Sequence, residues 1–254
     1  MNISLTYLLL NLGSLAFPLV RSFERRVRFV AYWPGLWVGL LLNALYCIPI
    51  DIWFTAKGNW GFSDAYTLGW KVFGLPVEEW MFFFCIPYAC VFIYACVSKL
   101  LNVKDSWGWT AFAWAIVIVT GATALLNVDK EYTLLKLGSA SVFLAFYIIF
   151  TKGKNLGRLM FSYMLTEIPF LIVNGFLTSL PVVTYNNAEN LGIRMSDVLG
   201  IRFLNIPVED NVYSLLMLLL VVFGMEQIWP RLEKSGRHKS FESAKSDAEP
   251  IRTN

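Results

Sequence analysis

Long apolar runs alternate with short polar segments along the whole chain. Seven runs, at residues 3–20, 29–50, 77–98, 107–126, 133–150, 159–180 and 208–228, are long enough to be membrane spans. A helix crossing a bilayer core of about 30 Å needs about 20 apolar residues, with some tolerance on either side. The segments between the runs are rich in Lys, Arg, Asp, Asn and Gly. After the last run, residues 231–254 carry no periodic apolar face and are expected to form a disordered cytoplasmic tail. The N-terminal MNISLTYLLL has neither a basic leader nor a small-residue cleavage pattern, so it reads as a retained first span. The pattern predicts an all-α integral membrane protein with seven transmembrane helices.

An internal repeat organises these helices. At an offset of 131 residues Asn59-Trp-Gly61-Phe matches Asn190-Leu-Gly192-Ile, and Leu68-Gly69 matches Leu199-Gly200. In the same register Leu75-Pro76-Val77-Glu78-Glu79 matches Ile206-Pro207-Val208-Glu209-Asp210, and Asn43 coincides with Asn174. The predicted arrangement is a three-helix repeat over 1–100, a linker helix within 101–130 and a second three-helix repeat over 131–230. Helices one and five are four crossings apart and run the same way, so the duplication is parallel and not of the inverted kind common in transporters.

Composition sharpens the class. At 254 residues, length alone allows one large domain or two small ones. Hydrophobic residues make up 57% and charged residues 15%, with a mean hydropathy of +0.56, whereas soluble domains carry about 25% charge. A net charge of +3, spread between apolar runs, speaks to membrane orientation and not to nucleic acid. Fifteen basic residues fall in the first, third and fifth inter-helix loops and the tail, and six fall on the other side. This split predicts a multi-pass protein of the cell membrane with its N-terminus outside and its C-terminus in the cytoplasm. Cys47, Cys85, Cys90 and Cys96 lie in apolar runs without CxxC spacing, and the lone histidine, His238, is in the tail. A disulfide framework, a metal site and histidine catalysis are therefore not expected.

The candidate chemistry sits in the acids. Glu78, Glu79, Glu209 and Asp210 each open a long apolar helix just behind a proline. Proline followed by acids also makes an ordinary helix start that suits the positive end of the helix dipole. Their repetition in both halves favours chemistry. A residue and the one four positions on share a helix face, pairing Glu78 with Phe82 and Glu209 with Tyr213, while Glu79 and Asp210 are expected to point elsewhere. A carboxyl shielded at the membrane border can hold a proton and deliver it to a poor base. Aromatic faces, with Trp53, Trp60, Tyr66, Phe82, Phe83 and Tyr213 as candidates, can stabilise a cation in a dry pocket. The same aromatics would also suit an interfacial belt. Asn43 and Asn174 need hydrogen-bond partners inside apolar helices, and Asn59 and Asn190 occupy matched loops. Glu167, within a span, and Asp51, at the end of the second helix, are further candidates without counterparts in the repeat. No GxGxxG follows a strand, no P-loop is present, and no spaced aspartate pairs could hold magnesium on a diphosphate.

The motifs Asp51-Ile-Trp-Phe-Thr, Asn59-Trp-Gly-Phe, Leu75-Pro-Val-Glu-Glu-Trp-Met-Phe-Phe, Tyr185-Asn-Asn-Ala-Glu-Asn-Leu-Gly-Ile-Arg and Ile206-Pro-Val-Glu-Asp-Asn-Val-Tyr, in this order, resemble the heterodimer-type (c/d-type) lycopene β-cyclases in a fused bacterial form. The resemblance covers the chain to about residue 230. It implies an isomerase that folds the linear ends of lycopene and related carotenoids into β-ionone rings without redox cofactor, giving γ- and β-carotene. In that reaction an acid protonates a terminal double bond, a neighbouring double bond attacks the cation, and a base removes a ring proton. Asp210 departs from the family's second acid in the second half. Two other readings use the same sequence differently, a small proton-coupled transporter relaying protons through the acids and a non-catalytic carotenoid-binding protein needing only the aromatic cavity.

Overall fold

The computed structural model describes residues 3–234. Seven helical stretches are long and apolar enough to cross a membrane: Ile3–Arg21, Phe29–Lys57, Val77–Leu100, Trp107–Leu126, Glu131–Thr151, Leu156–Ser179 and Val208–Lys234. The α-helical parts of these are α1 (Thr6–Arg21), α2 (Trp33–Lys57), α3 (Val77–Leu100), α4 (Trp107–Leu126), α5 (Glu131–Thr151) and α6 (Leu156–Ser179). A short α7 (Met195–Leu199) lies in the following loop, and α8 (Val208–Phe223) forms the last span. The chain is a multi-pass membrane protein.

The last span passes through a π-helical turn at Gly224–Ile228 and stays helical to Lys234, so the expected tail begins with helix at 231–234. The rest of that tail, 235–254, lies outside the described residues.

Internal prolines at 18, 49, 87 and 169 sit within apolar helices. Packing against neighbouring helices makes them tolerable there. The centre of the bundle is α3 and the α8 span, with 61% and 67% of their apolar windows buried, against 17% for α1 and α4. Helices apolar on all sides belong in such a centre. Around it α1 packs on α3, α4 on α5, α5 on α8, and α6 on α3, with α2 against both α8 and its π-turn.

The loops after α2 and α6 close over one end of the bundle, and here the expectation of helices alone needs a supplement. β1 (Trp60–Phe62) pairs antiparallel with β4 (Val183–Tyr185), with Trp60 opposite Tyr185. β2 (Lys71–Val72) and β3 (Leu75–Pro76) form a hairpin through Phe73 and Gly74 at φ 52° and 83°. Two positive-φ residues in a two-residue loop match the twist of the strands. The β1–β4 ribbon ties the two loops together over the starts of α1, α3, α5 and α8. It also separates the matched tetrapeptides: Trp60–Phe62 is strand, whereas Leu191–Ile193 is not.

Candidate active site

Two helix starts, α3 and α8, carry their acids beneath this loop cover. Pro76 and Pro207 stand at the N-cap positions, and the acids occupy the first turn of each helix. Within each pair the two carboxylates do different things. Glu78 Oε1 accepts the backbone N–H of Leu68 at 2.6 Å, and Glu209 Oε1 accepts from Leu191 N–H and Thr133 Oγ1, each at 2.7 Å. Both fasten a loop to a helix. Glu79 and Asp210 instead line one narrow cavity of about 30 Å³, room for a water or two.

This reverses the expected facing of the acids. Glu79 shares the cavity with Phe82, and Asp210 with Tyr213 and Met217, a spacing of three and seven along one helix face. The loop amides and Thr133, present only in the tertiary fold, draw Glu78 and Glu209 the other way.

Tyrosines hold the two cavity acids. Tyr7, at the start of α1, donates its hydroxyl to Glu79 Oε2. Tyr132, at the start of α5, donates to Asp210 Oδ1, and Tyr185 of β4 donates to Asp210 Oδ2 at 2.7 Å. Burial, followed by the negative charge of Asp210, holds the Tyr185 phenol well above its ordinary pKa, so it remains a proton-bearing donor. Asn174 and Trp60 complete the polar and aromatic wall, and Trp60 Nε1 is anchored on Thr55 Oγ1 at 2.8 Å.

Behind the cavity lies an ion pair. Lys136 Nζ donates to Asp51 Oδ1 at 3.4 Å, the two side chains being 2% and 0% exposed. The ammonium lies 3.2 Å from the centroid of the Tyr213 ring and 4.9 Å from that of Trp60, with Phe54 and Tyr132 both at 5.6 Å. Of the aromatics expected to face a reaction cation, Trp60 and Tyr213 thus flank a resident one, together with Phe54 and Tyr132. Asp51 Oδ2 is buried with no hydrogen-bond donor among the described residues. Glu79 lies within Coulombic range of Asp51, Lys136 and Asp210.

The remaining candidates are more dispersed. Asn43 donates to the Phe83 carbonyl at 3.2 Å and receives Cys47 Sγ at 3.4 Å, which makes it a hydrogen-bonded link between α2 and α3. Phe83 is wholly buried behind Phe82 in an edge-to-face contact. Trp53 is 41% exposed beneath the Lys57 ammonium, as an interfacial aromatic would be. Tyr66 packs on the core from the loop. Asn59 and Asn190 build the loop cover: the Asn59 carbonyl accepts Asn186 N–H at 2.9 Å, and Asn190 Oδ1 accepts Gly192 N–H at 2.8 Å. Glu167 accepts the Ser214 hydroxyl, one helical turn along α8 from Asp210, outside the walls of the small cavity.

Lys136, Tyr7 and Tyr132 do not emerge from the motif reading, and Tyr185 enters it only as the first residue of a quoted motif, with no role at the site. Lys136 counts there as an ordinary loop cation, although an ionisable side chain inside an apolar run is itself a signal. A second register also carries it. At an offset of 125 residues Tyr7-Leu-Leu-Leu-Asn11-Leu-Gly13-Ser14 matches Tyr132-Thr-Leu-Leu-Lys136-Leu-Gly138-Ser139. In this register the two tyrosines that hold Glu79 and Asp210 coincide, and Lys136 stands where α1 has Asn11, whose Nδ2 donates to the Glu78 carbonyl at 2.8 Å.

The family model described as Lycopene cyclase matches the chain over two segments, residues 4–97 and 129–228. No curated protein and no solved structure matches it. The two segments make up most of the chain, leave α4 between them, and each contain a proline-led helix whose acid lines the shared cavity. Seven membrane-crossing helices around an aromatic, carboxylate-bearing pocket therefore belong to a member of the lycopene cyclase family, an enzyme that closes rings on a carotenoid.

Proposed function

We propose that the chain is a lycopene β-cyclase working by acid–base chemistry between Glu79 and Asp210. The observation that carries this reading is their position: two carboxyls from the two family-matched segments line one cavity walled by Trp60, Phe82 and Tyr213. One carboxylic acid gives its proton to the terminal double bond of the linear end. The electron pair of the neighbouring double bond closes the six-membered ring on the resulting tertiary cation. The other carboxylate removes a ring proton and leaves the β double bond. Atoms and electrons balance with no net proton or electron consumed, which makes the enzyme an isomerase in the sense of an intramolecular lyase. Nicotinamide has no stoichiometric part in this sequence. The Phe82 ring, a cavity aromatic that Lys136 does not face, stabilises the transient cation, and Tyr7, Tyr132 and Tyr185 orient the carboxyls. Products are γ-carotene after one closure and β-carotene after two.

The two family matches flanking α4 support a chain built from two three-helix units and a linker helix, with one cavity carboxyl from each. The distribution of basic residues supports a cell-membrane location with this site at the outer border. Pigment analysis after expression in a lycopene-accumulating host tests the reading. Conversion to β-ringed products is expected. Unchanged lycopene accompanying purified protein would point to a binding protein, and neither conversion nor binding would point to the transporter reading.

A further inference from the structure

A second, larger cavity lies between α1, α3 and α6. Its volume is about 470 Å³, within the roughly 300–1,000 Å³ typical of small-molecule sites. Its walls are apolar apart from Ser14, and Phe170 lines both this groove and the small carboxylate cavity.

Three helical stripes run from one cavity into the other. On α3, Glu79 and Phe82 line the small cavity, and Ile86, Ala89 and Ile93 continue the same face along the groove. On α6, Leu177 and Asn174 lead to Phe170, which opens onto the groove. On α1, Tyr7 leads to Leu10, Ser14 and Pro18. Steps of three and four keep each series on one face. From Leu9 to Pro18 the groove follows the helix axis for about 14 Å, at about 1.5 Å per residue. The outer edge is open: Leu9 and Phe17 of α1 and Ile172 of α6 are 43%, 67% and 51% exposed on the bundle surface.

Resting on the cyclase reading, we infer that this groove is the binding site for the polyene stem of the linear carotenoid. It admits the substrate sideways from the bilayer and aims one end past Phe170 at Glu79 and Asp210. A conjugated polyene is a stiff rod without hydrogen-bonding groups, so it suits a straight apolar wall and needs no polar partner along its length. The small cavity receives the reacting end only when Phe170 turns, because a space for a water or two is smaller than a six-carbon ring. The groove opens to lipid and not to the loops, so a membrane-dissolved substrate reaches the acids without crossing water.

Gly13 makes the test clean. A Cβ built there meets nothing within 4 Å, so a large side chain can project into the groove without disturbing the helix packing. The protein in lipid nanodiscs, as wild type and Gly13→Trp, is assayed for lycopene conversion. Ala89→Leu, from the opposite wall, is a second blocking variant. Leu19→Trp fills a separate crevice between α1, α2 and α3 that shares no residue with the small cavity. Gly13→Trp and Ala89→Leu should each lower kcat/KM for lycopene about tenfold or more, the scale at which a pocket of fixed shape discriminates added bulk. Leu19→Trp should match wild type. Lycopene co-purifying from the accumulating host should fall in parallel for the two blocking variants. Wild-type conversion and pigment retention in both blocking variants, as for a groove holding only bulk lipid, would overturn the inference. If the wild type binds but does not convert lycopene, the cyclase reading fails while pigment retention still decides the groove.

Discussion

Glu78 and Glu79 are adjacent yet project about 100° apart on the helix, and the fold gives them separate tasks. Glu78 fixes the Leu68 amide and Glu209 fixes Leu191 and Thr133, whereas Glu79 and Asp210 line the cavity. Glu79→Gln and Asp210→Asn should each lower lycopene turnover by roughly 10² to 10⁴-fold with the protein still folded, the range expected for lost general acid–base catalysis. Glu78→Gln and Glu209→Gln should instead act on stability, by about 1–3 kcal/mol for disturbing buried hydrogen bonds. Turnover by these last two variants should stay near wild type. Pigment quantification with thermal unfolding in detergent separates the two classes, and loss of turnover at unchanged stability in Glu78→Gln would invert the assignment. The Asp51–Lys136 pair makes its own prediction. Lys136→Met leaves Asp51 buried without a counter-charge and should destabilise by about 3–5 kcal/mol. Adding Asp51→Asn to Lys136→Met should recover most of that loss in the same unfolding assay.

At the scale of elements, α2 and the α8 span approach closely enough to exclude side chains. A Cβ on Gly39 would clash with the Val221 carbonyl oxygen, and one on Gly224 would clash with Gly39 Cα. Small residues at such crossings allow the dispersion contacts that hold membrane helices together when lipid removes the hydrophobic drive. Gly39→Ala must push the two backbones apart and should cost about 1–3 kcal/mol, as overpacking does. Gly13→Ala should be neutral or stabilise by up to about 1 kcal/mol, since alanine favours helix and nothing opposes its methyl group. Equal unfolding temperatures for Gly39→Ala and wild type would rule out the tight crossing. The strand pairing over the site belongs to this scale too. Trp60–Phe62 and Val183–Tyr185 are only three residues each and meet from opposite halves of the chain, so neither is readable as a strand from its own sequence.

Across the whole molecule, the site lies at the end of the bundle where α1, α3, α5 and α8 begin. Burial of Lys136 removes it from the count of solvent-facing cations on that side, which strengthens the charge asymmetry behind an outward-facing site. Reporter fusions after Asn59 and Asn190 should score as external and one after Lys239 as cytoplasmic. The opposite pattern would place the chemistry on the cytoplasmic side.

Sequence alone determined what depends on local composition: seven spans, which follow from the length of apolar helix a bilayer requires, and two proline-led acid pairs. The 131-residue register exposed the paired helix starts but concealed Tyr7 and Tyr132, because the first helices of the two halves align only at 125. Tertiary structure decided everything that needs two distant segments in contact. It chose which acid of each pair faces the cavity, through loop amides that meet Glu78 and Glu209 only after the loops fold back. It carried Lys136 to Asp51 across 85 residues of chain and opened the groove between α1, α3 and α6. A lysine near the start of a helix looks like a loop cation until the partner that satisfies its charge is in place, and that partner is supplied by the fold.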